Sequence, residues 1–253
     1  MKTLTQLGRA SRAETSKFLS LRSLTGLFAA GILATIALGW LLGASAKASG
    51  ENGYDSAMPA PLLVFATLQF GQLIFAAAAV LHLSGEYSAD QIGSTLQAVP
   101  RRGVLLAAKS IVVVAAGFLG GVLAIGLGTI PTVLGAERFG IFTAGDLVSA
   151  ALGAGGYLAL LGLMVIGLGL LIRNSAGSIG AMLILVIGLP QILQLVRIAW
   201  VQELIQYLPS NAVTFMATGT VEPYGPGTAL LVLIAWAAML LGAGAVRFLR
   251  SDA

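Results

Sequence analysis

Six long, uninterrupted runs of apolar residues limit what this sequence can fold into. They cover residues 24–46, 61–83, 104–127, 147–172, 176–198 and 228–248. An apolar helix of about 20 residues crosses the hydrocarbon core of a bilayer, whereas barrel strands alternate apolar and polar residues, which these runs do not do. Only 9% of the residues are charged, against roughly 25% in soluble domains. The sequence therefore predicts an all-α polytopic membrane protein with six transmembrane helices.

The basic residues are distributed unevenly between the two sides of such a protein. If the N-terminus is cytoplasmic, eleven of the 14 lysines and arginines fall on the inner side. They are Lys2, Arg9, Arg12, Lys17, Arg22, Arg101, Arg102, Lys109, Arg173, Arg247 and Arg250. Because positively charged segments stay on the cytoplasmic side, we expect both termini to be cytoplasmic. Topology alone then explains the net charge of +4, so no nucleic-acid partner is expected.

The N-terminal segment, residues 1–23, mixes apolar and basic side chains. Its apolar residues are Leu4, Leu7, Phe18 and Leu21, and its basic residues include Arg9, Arg12 and Lys17. This pattern predicts an interfacial helix with its apolar side in the bilayer and its basic side toward anionic headgroups. The alternative is a solvated basic tail that follows the positive-inside rule.

A polar segment at 84–103 separates the second and third apolar runs. Its first residues suit a helix N-terminus, where the helix dipole favours negative charge: Glu86, Ser88 and Asp90. Three apolar residues follow at helical spacing and form one stripe: Ile92, Leu96 and Val99. Pro100 ends this short helix. An exposed apolar stripe with a charged rim requires a partner groove or lipid headgroups.

This segment resembles the coupling-helix region of ABC-2 type ABC transporter permeases, particularly those of high-GC Gram-positive bacteria. The resemblance lies in Gly85-Glu86-Tyr87-Ser88, Thr95-Leu96, Val99-Pro100-Arg101-Arg102 and Ala108-Lys109. The basic N-terminal helix, the six spans and Leu208-Pro209-Ser210-Asn211-Ala212 before the last span agree with that family. The resemblance implies a bacterial cell membrane, a separate P-loop ATPase partner and a second permease, either an identical copy or a paralogue.

The resemblance also implies roles for individual residues. Glu86 and Tyr87 would begin the coupling helix. The apolar stripe of Ile92, Leu96 and Val99 would face the ATPase groove, and Arg101 and Arg102 would anchor the end of the helix. Simpler alternatives stay open, since the stripe can pack on spans 2 and 3, the arginines can be topology signals, and Glu86 can be a helix-start charge.

Motifs for catalysis and cofactor binding are missing from the sequence. The pattern G-x-x-x-x-G-K-[ST], whose backbone N–H groups cradle phosphates, does not occur. The chain has no cysteine and one histidine, His82, for which a helix-end role is expected. We therefore expect no enzymatic activity and no cofactor in this chain, and we expect ATP and magnesium on the partner ATPase.

Two pairs of glutamines interrupt the apolar runs. Gln69 and Gln72 lie in the second run, and Gln191 and Gln194 lie in the fifth. Each pair has a spacing of three, so its members share one helix face. They either line a pathway or form hydrogen bonds between spans. Secondary carriers usually place ionisable groups near the bilayer midplane, and the apolar runs show none clearly there.

Taken together, the sequence predicts one permease domain over 1–253. It consists of an interfacial segment 1–23, a membrane domain 24–248 with the cytoplasmic hairpin at 84–103, and a tail 249–253. We expect the membrane subunit of an ATP-driven ABC-2 type exporter with an unknown cargo. The alternatives are a secondary carrier or channel, and a non-transporting sensor or assembly protein. Residues 209–227 are expected to form either a re-entrant or interfacial helix or an ordinary loop.

Overall fold

The computed structural model describes residues 2–54, 58–88, 101–218 and 222–250. Within these ranges the regular elements are helical, and we number nine of them. They are α1 (Lys2–Ser20), α2 (Arg22–Glu51), α3 (Ala60–Ser88), α4 (Arg102–Ala136), α5 (Ala144–Ile172), α6 (Ser175–Gln194), α7 (Ala199–Ile205), α8 (Pro209–Thr218) and α9 (Pro226–Arg250). A short 3₁₀ turn, Glu137–Phe139, extends α4.

Six of these helices, α2 to α6 and α9, are long and apolar enough to cross a membrane. They correspond one by one to the six apolar runs, so the predicted all-α architecture is confirmed. The largest difference in extent is in α4, which has 35 residues and a length of about 52 Å at 1.5 Å per residue. Since the hydrocarbon core is about 30 Å thick, part of α4 lies outside it.

Helix α5 lies at the centre of the bundle and packs on α3, α4 and α9. Its neighbours approach closely because glycines stand at the crossings. A Cβ atom at Gly121 of α4 would lie 2.5 Å from the backbone of Ala154, and one at Gly244 of α9 would lie 2.5 Å from the carbonyl oxygen of Gly167. Small residues are the usual means of close helix packing in membranes.

Six spans place both chain termini on the same side of the bundle, here called the terminal side. Helix α1 lies on this side and packs against α4 and α2. Ala10 contacts Val104 and Ala108, while Phe18 packs with Leu24. Of the four apolar residues that the sequence assigned to the lipid side, Phe18 and Leu7 pack on protein, whereas Leu4 and Leu21 are exposed.

The chain between α5 and α9 is less regular than the predicted fifth span. Helix α6 contains a π-helical segment, Ile184–Gly188, and ends at Gln194, four residues earlier than expected. Beyond its last turn, the Gln202 side chain of α7 donates a hydrogen bond of 2.7 Å to the carbonyl oxygen of Val196. Residues 209–218 then form α8, which packs on α9, α5 and α3 and buries Ala212 completely.

Candidate functional site

A cavity of about 550 Å³ lies between α3, α5, α6 and α8, on the side of the bundle opposite the chain termini. All four glutamines that the sequence singled out line it: Gln69, Gln72, Gln191 and Gln194. Gln72 is buried and the other three are exposed, so the cavity is open along one side. The two glutamine pairs are 122 residues apart in sequence, and the fold brings them to the same cavity.

On the α3 wall of the cavity, the amide of Gln72 is held by its neighbours. Its Nε2 donates a hydrogen bond of 2.8 Å to the carbonyl oxygen of Gln69. The hydroxyl of Tyr157, which is fully buried on α5, donates to its Oε1. These contacts fix the amide of Gln72, while the side chain of Gln69 stays exposed at the cavity.

On the opposite wall, α6 departs from α-helical geometry where it borders the cavity. Val186 and Ile187 belong to the π-helical segment, and Pro190 follows one turn later. Because proline has no N–H, a carbonyl of the preceding turn loses its helical donor. Single π turns inside α-helices are frequent at functional sites. Gln191 and Gln194 follow the π-helical segment and also line the cavity.

Helix α8 contributes Ser210, Asn211 and Thr214 to the cavity lining. The amide nitrogen Nδ2 of Asn211 donates 2.8 Å to the carbonyl oxygen of Ile205, which anchors the start of α8. The Oγ of Ser210 is buried and has no hydrogen-bonding partner within the described residues. In the sequence analysis, residues 208–212 were part of the family resemblance, but no role was predicted for any of them.

The lining residues of the cavity are all uncharged. They combine amides and hydroxyls with large apolar side chains such as those of Phe65 and Met58. Pockets of this size and mixture hold small molecules through apolar contact and a few hydrogen bonds. Within the described residues there is no group of three or more histidines and carboxylates that could hold a metal ion.

The residues of the predicted coupling helix are only partly within the described structure. Helix α3 continues through Ser88, so Glu86 and Tyr87 lie in its last turn rather than at the start of a separate helix. Gly85 is the one poor helix former nearby, and a helix tolerates it at a cost of about 1 kcal/mol. The stripe Ile92, Leu96 and Val99 falls outside the described residues, and its role stays a prediction.

The two arginines after this segment differ in their surroundings. Arg101 is exposed and occupies the N-cap position of α4. Arg102 is partly buried, and its Nη1 donates a hydrogen bond of 3.1 Å to the carbonyl oxygen of Phe248. Arg102 thus connects the start of α4 to the end of α9, so in this structure it contacts the protein's own backbone.

Sequence reasoning missed a second site, a cluster of Glu14, His82 and Lys109 on the terminal side. Lys109 Nζ donates 2.9 Å to Glu14 Oε2, and His82 Nε2 lies 3.3 Å from the same oxygen. Burial would raise the pKa of Glu14, but the contact with His82 and the charge and hydrogen bond of Lys109 outweigh it. They lower that pKa to about 2. A signal was present, because Lys109 interrupts an apolar run and Glu14 is the first acidic residue of the chain.

No protein-family model matches the chain, and no curated protein is significantly similar to it. The architecture alone defines the class: with six long apolar helices, the chain is an all-α, multi-pass membrane protein. The resemblance to ABC-2 type permeases rests on the residues quoted above.

Proposed function

We propose that this chain is the membrane-spanning permease subunit of an ATP-driven, ABC-2 type exporter in a bacterial cell membrane. A separate P-loop ATPase supplies the energy, and a second permease, identical or paralogous, completes the pathway. The observation that supports the proposal best is the uncharged polar cavity between α3, α5, α6 and α8.

The glutamines of the cavity favour a transport pathway over simple helix packing. A polar side chain among membrane-spanning helices is costly unless it meets another polar group, water or a ligand. Of the four, only Gln72 is buried and bonded within the bundle. Gln69, Gln191 and Gln194 are exposed along the open cavity. They offer hydrogen bonds to a passing cargo, while the apolar walls accept its hydrocarbon parts.

The charges of the protein favour an external energy source. Carriers driven by protons or sodium usually bind them at ionisable groups near the substrate site. The residues that line this cavity are uncharged. The buried charges Glu14 and Lys109 lie on the terminal side and are paired with each other. In this proposal ATP and magnesium bind to the partner, in agreement with the missing phosphate-binding motif.

Helix α3 provides a mechanical connection between partner and cavity. It carries Gln69 and Gln72 in its first half and Glu86 and Tyr87 in its last turn. The distance from Gln72 to Tyr87 along the helix is about 22 Å. A displacement of the hairpin at 84–103 therefore moves one wall of the cavity. ATP-driven closure of the partner subunits would use this connection to switch access to the cavity.

The test is affinity purification from native membranes in mild detergent, followed by measurement of ATP hydrolysis. We expect a stoichiometric P-loop ATPase that is lost on Leu96→Asp in the hairpin. The matched control is Leu4→Asp, because Leu4 is 75% exposed on α1, and it should retain the ATPase. Recovery of the chain without an ATPase in several detergents would overturn the proposal and favour a carrier or a sensor.

A further inference from the structure

Three helices meet on the terminal side through the Glu14, His82 and Lys109 cluster, one residue from each of α1, α3 and α4. The side chain of Glu14 is 6% exposed, and those of His82 and Lys109 are 0% and 4% exposed. Phe18, one turn after Glu14, packs edge-on against the His82 ring at a centroid distance of 5.5 Å. The charged groups are therefore enclosed by protein.

The carboxylate of Glu14 is the shared member of the cluster. Its Oε2 atom lies within 2.9 Å of Lys109 Nζ and 3.3 Å of His82 Nε2. A buried charge is tolerated only when it is paired, and removal of one partner leaves the other uncompensated. The docked position of α1 therefore depends on Glu14 as well as on the apolar contacts of Ala10 and Phe18.

The two residues that contact Glu14 lie on different helices. His82 lies close to the end of α3, and Lys109 lies in the second turn of α4. The residues that connect these two helices, 89–100, lie outside the described part of the structure. Glu14 therefore contacts α3 and α4 on either side of that connection, and it attaches α1 to both helices.

We propose that Glu14 is a positioning residue that locks α1 to the end region of α3 and the start of α4, so that these three helices move as one unit there. The lock itself stands independently of the proposed function. If α1 is released, we expect less of the partner ATPase to co-purify with the chain, and this consequence rests on the proposed function.

The absence of cysteine from the chain makes a direct distance measurement possible. Spin labels are placed at Ala13 on α1 and Gly103 on α4, which are both exposed, and a Cβ at Gly103 meets nothing within 4 Å. A second label pair, Tyr54 and Val148, reports on the opposite side of the bundle, where both residues are exposed. Distances are measured on the full chain in lipid nanodiscs.

The expected result is one narrow Ala13–Gly103 distance in the parent chain. Glu14→Gln should reduce the population at that distance by about tenfold or more, and the reversed pair Glu14→Lys with Lys109→Glu should restore most of it. The Tyr54–Val148 distance should not change. The matched control is Glu137→Gln, which breaks the exposed Lys47–Glu137 pair and should leave both distances unchanged.

Three results would overturn the lock. One is an unchanged Ala13–Gly103 distance in Glu14→Gln. Another is loss of the parent distance at both label pairs in Glu14→Gln. That result would mean that Glu14 supports the whole bundle instead of the position of α1. The third is that the reversed pair, Glu14→Lys with Lys109→Glu, shows the same loss of the Ala13–Gly103 distance as Glu14→Gln. None of these readouts involves an ATPase, so the lock and the proposed function can fail separately.

Discussion

The crossing of α5 and α9 allows a sharp test of the packing, with Gly244→Ala and Gly242→Ala compared in the same helix. A Cβ atom at Gly244 would lie 2.5 Å from the carbonyl oxygen and 3.0 Å from the Cα of Gly167, whereas one at Gly242 meets nothing within 4 Å. A backbone oxygen cannot rotate away as a side chain can. The first substitution must therefore push the two helices apart.

The magnitude follows from the difference between the two variants. Both gain the same helix propensity, about 1 kcal/mol for glycine to alanine, so this gain cancels in the comparison. Overpacking of a close contact costs about 1–3 kcal/mol, and only Gly244→Ala bears it. We therefore expect Gly244→Ala to be about 1–3 kcal/mol less stable than Gly242→Ala.

The assay is reversible unfolding in mixed micelles with increasing dodecyl sulfate, followed by circular dichroism. Trp236, which lies on α9 and donates 2.8 Å to the carbonyl oxygen of Tyr207, supplies a second, local fluorescence signal. Equal stability of the two variants, within about 0.5 kcal/mol by either signal, would refute the backbone contact between α5 and α9.

Three further predictions concern the buried polar groups. Glu14→Gln should lower the free energy of unfolding by about 3–5 kcal/mol, whereas Glu137→Gln, at an exposed pair, should not measurably change it in the same micelle titration. The pKa of Glu14 is lowered from 4.5 to about 2, so its contribution is present above pH 4.5 and is lost as the pH falls toward 2. The distribution of the distance between α1 and α4 should therefore broaden as the pH falls from 4.5 toward 2. Tyr157→Phe should cost about 1–3 kcal/mol because it leaves Gln72 Oε1 without its donor, and Tyr54→Phe, at an exposed tyrosine, is the neutral control in thermal unfolding.

The sequence predicted the six long helices because the signal for a membrane span is local. About 20 consecutive apolar residues determine such a helix without reference to the rest of the chain. The same locality explains why the fifth span was placed four residues too far. The apolar run continues past the last turn of α6, where Gln202 of α7 instead donates to the carbonyl oxygen of Val196, and the apolar pattern alone does not predict such a contact.

The sequence predicted the separate parts of the candidate site but not their assembly into one cavity. The three-residue spacing of Gln69 and Gln72, and of Gln191 and Gln194, predicted that each pair shares a helix face. That both faces border one cavity depends on how α3 and α6 pack around α5, which no local pattern contains. Glu14 and Lys109 are 95 residues apart, so their pairing is equally non-local, and from the sequence Lys109 was interpreted only as one of the basic residues of the inner side.

The central claim, that ATP hydrolysis by a partner changes access to the cavity between α3, α6 and α8, has one direct test. Gln191→Cys places a single thiol at an exposed position of the cavity wall in the cysteine-free chain, and Tyr54→Cys is the exposed control. The rate of labelling by a hydrophilic maleimide is measured on the purified complex in nanodiscs, with ATP and with a non-hydrolysable analogue. The account predicts a rate that differs at least several-fold between the two conditions at residue 191 and is the same in both at residue 54. Equal rates at residue 191, on a complex that hydrolyses ATP, would contradict it.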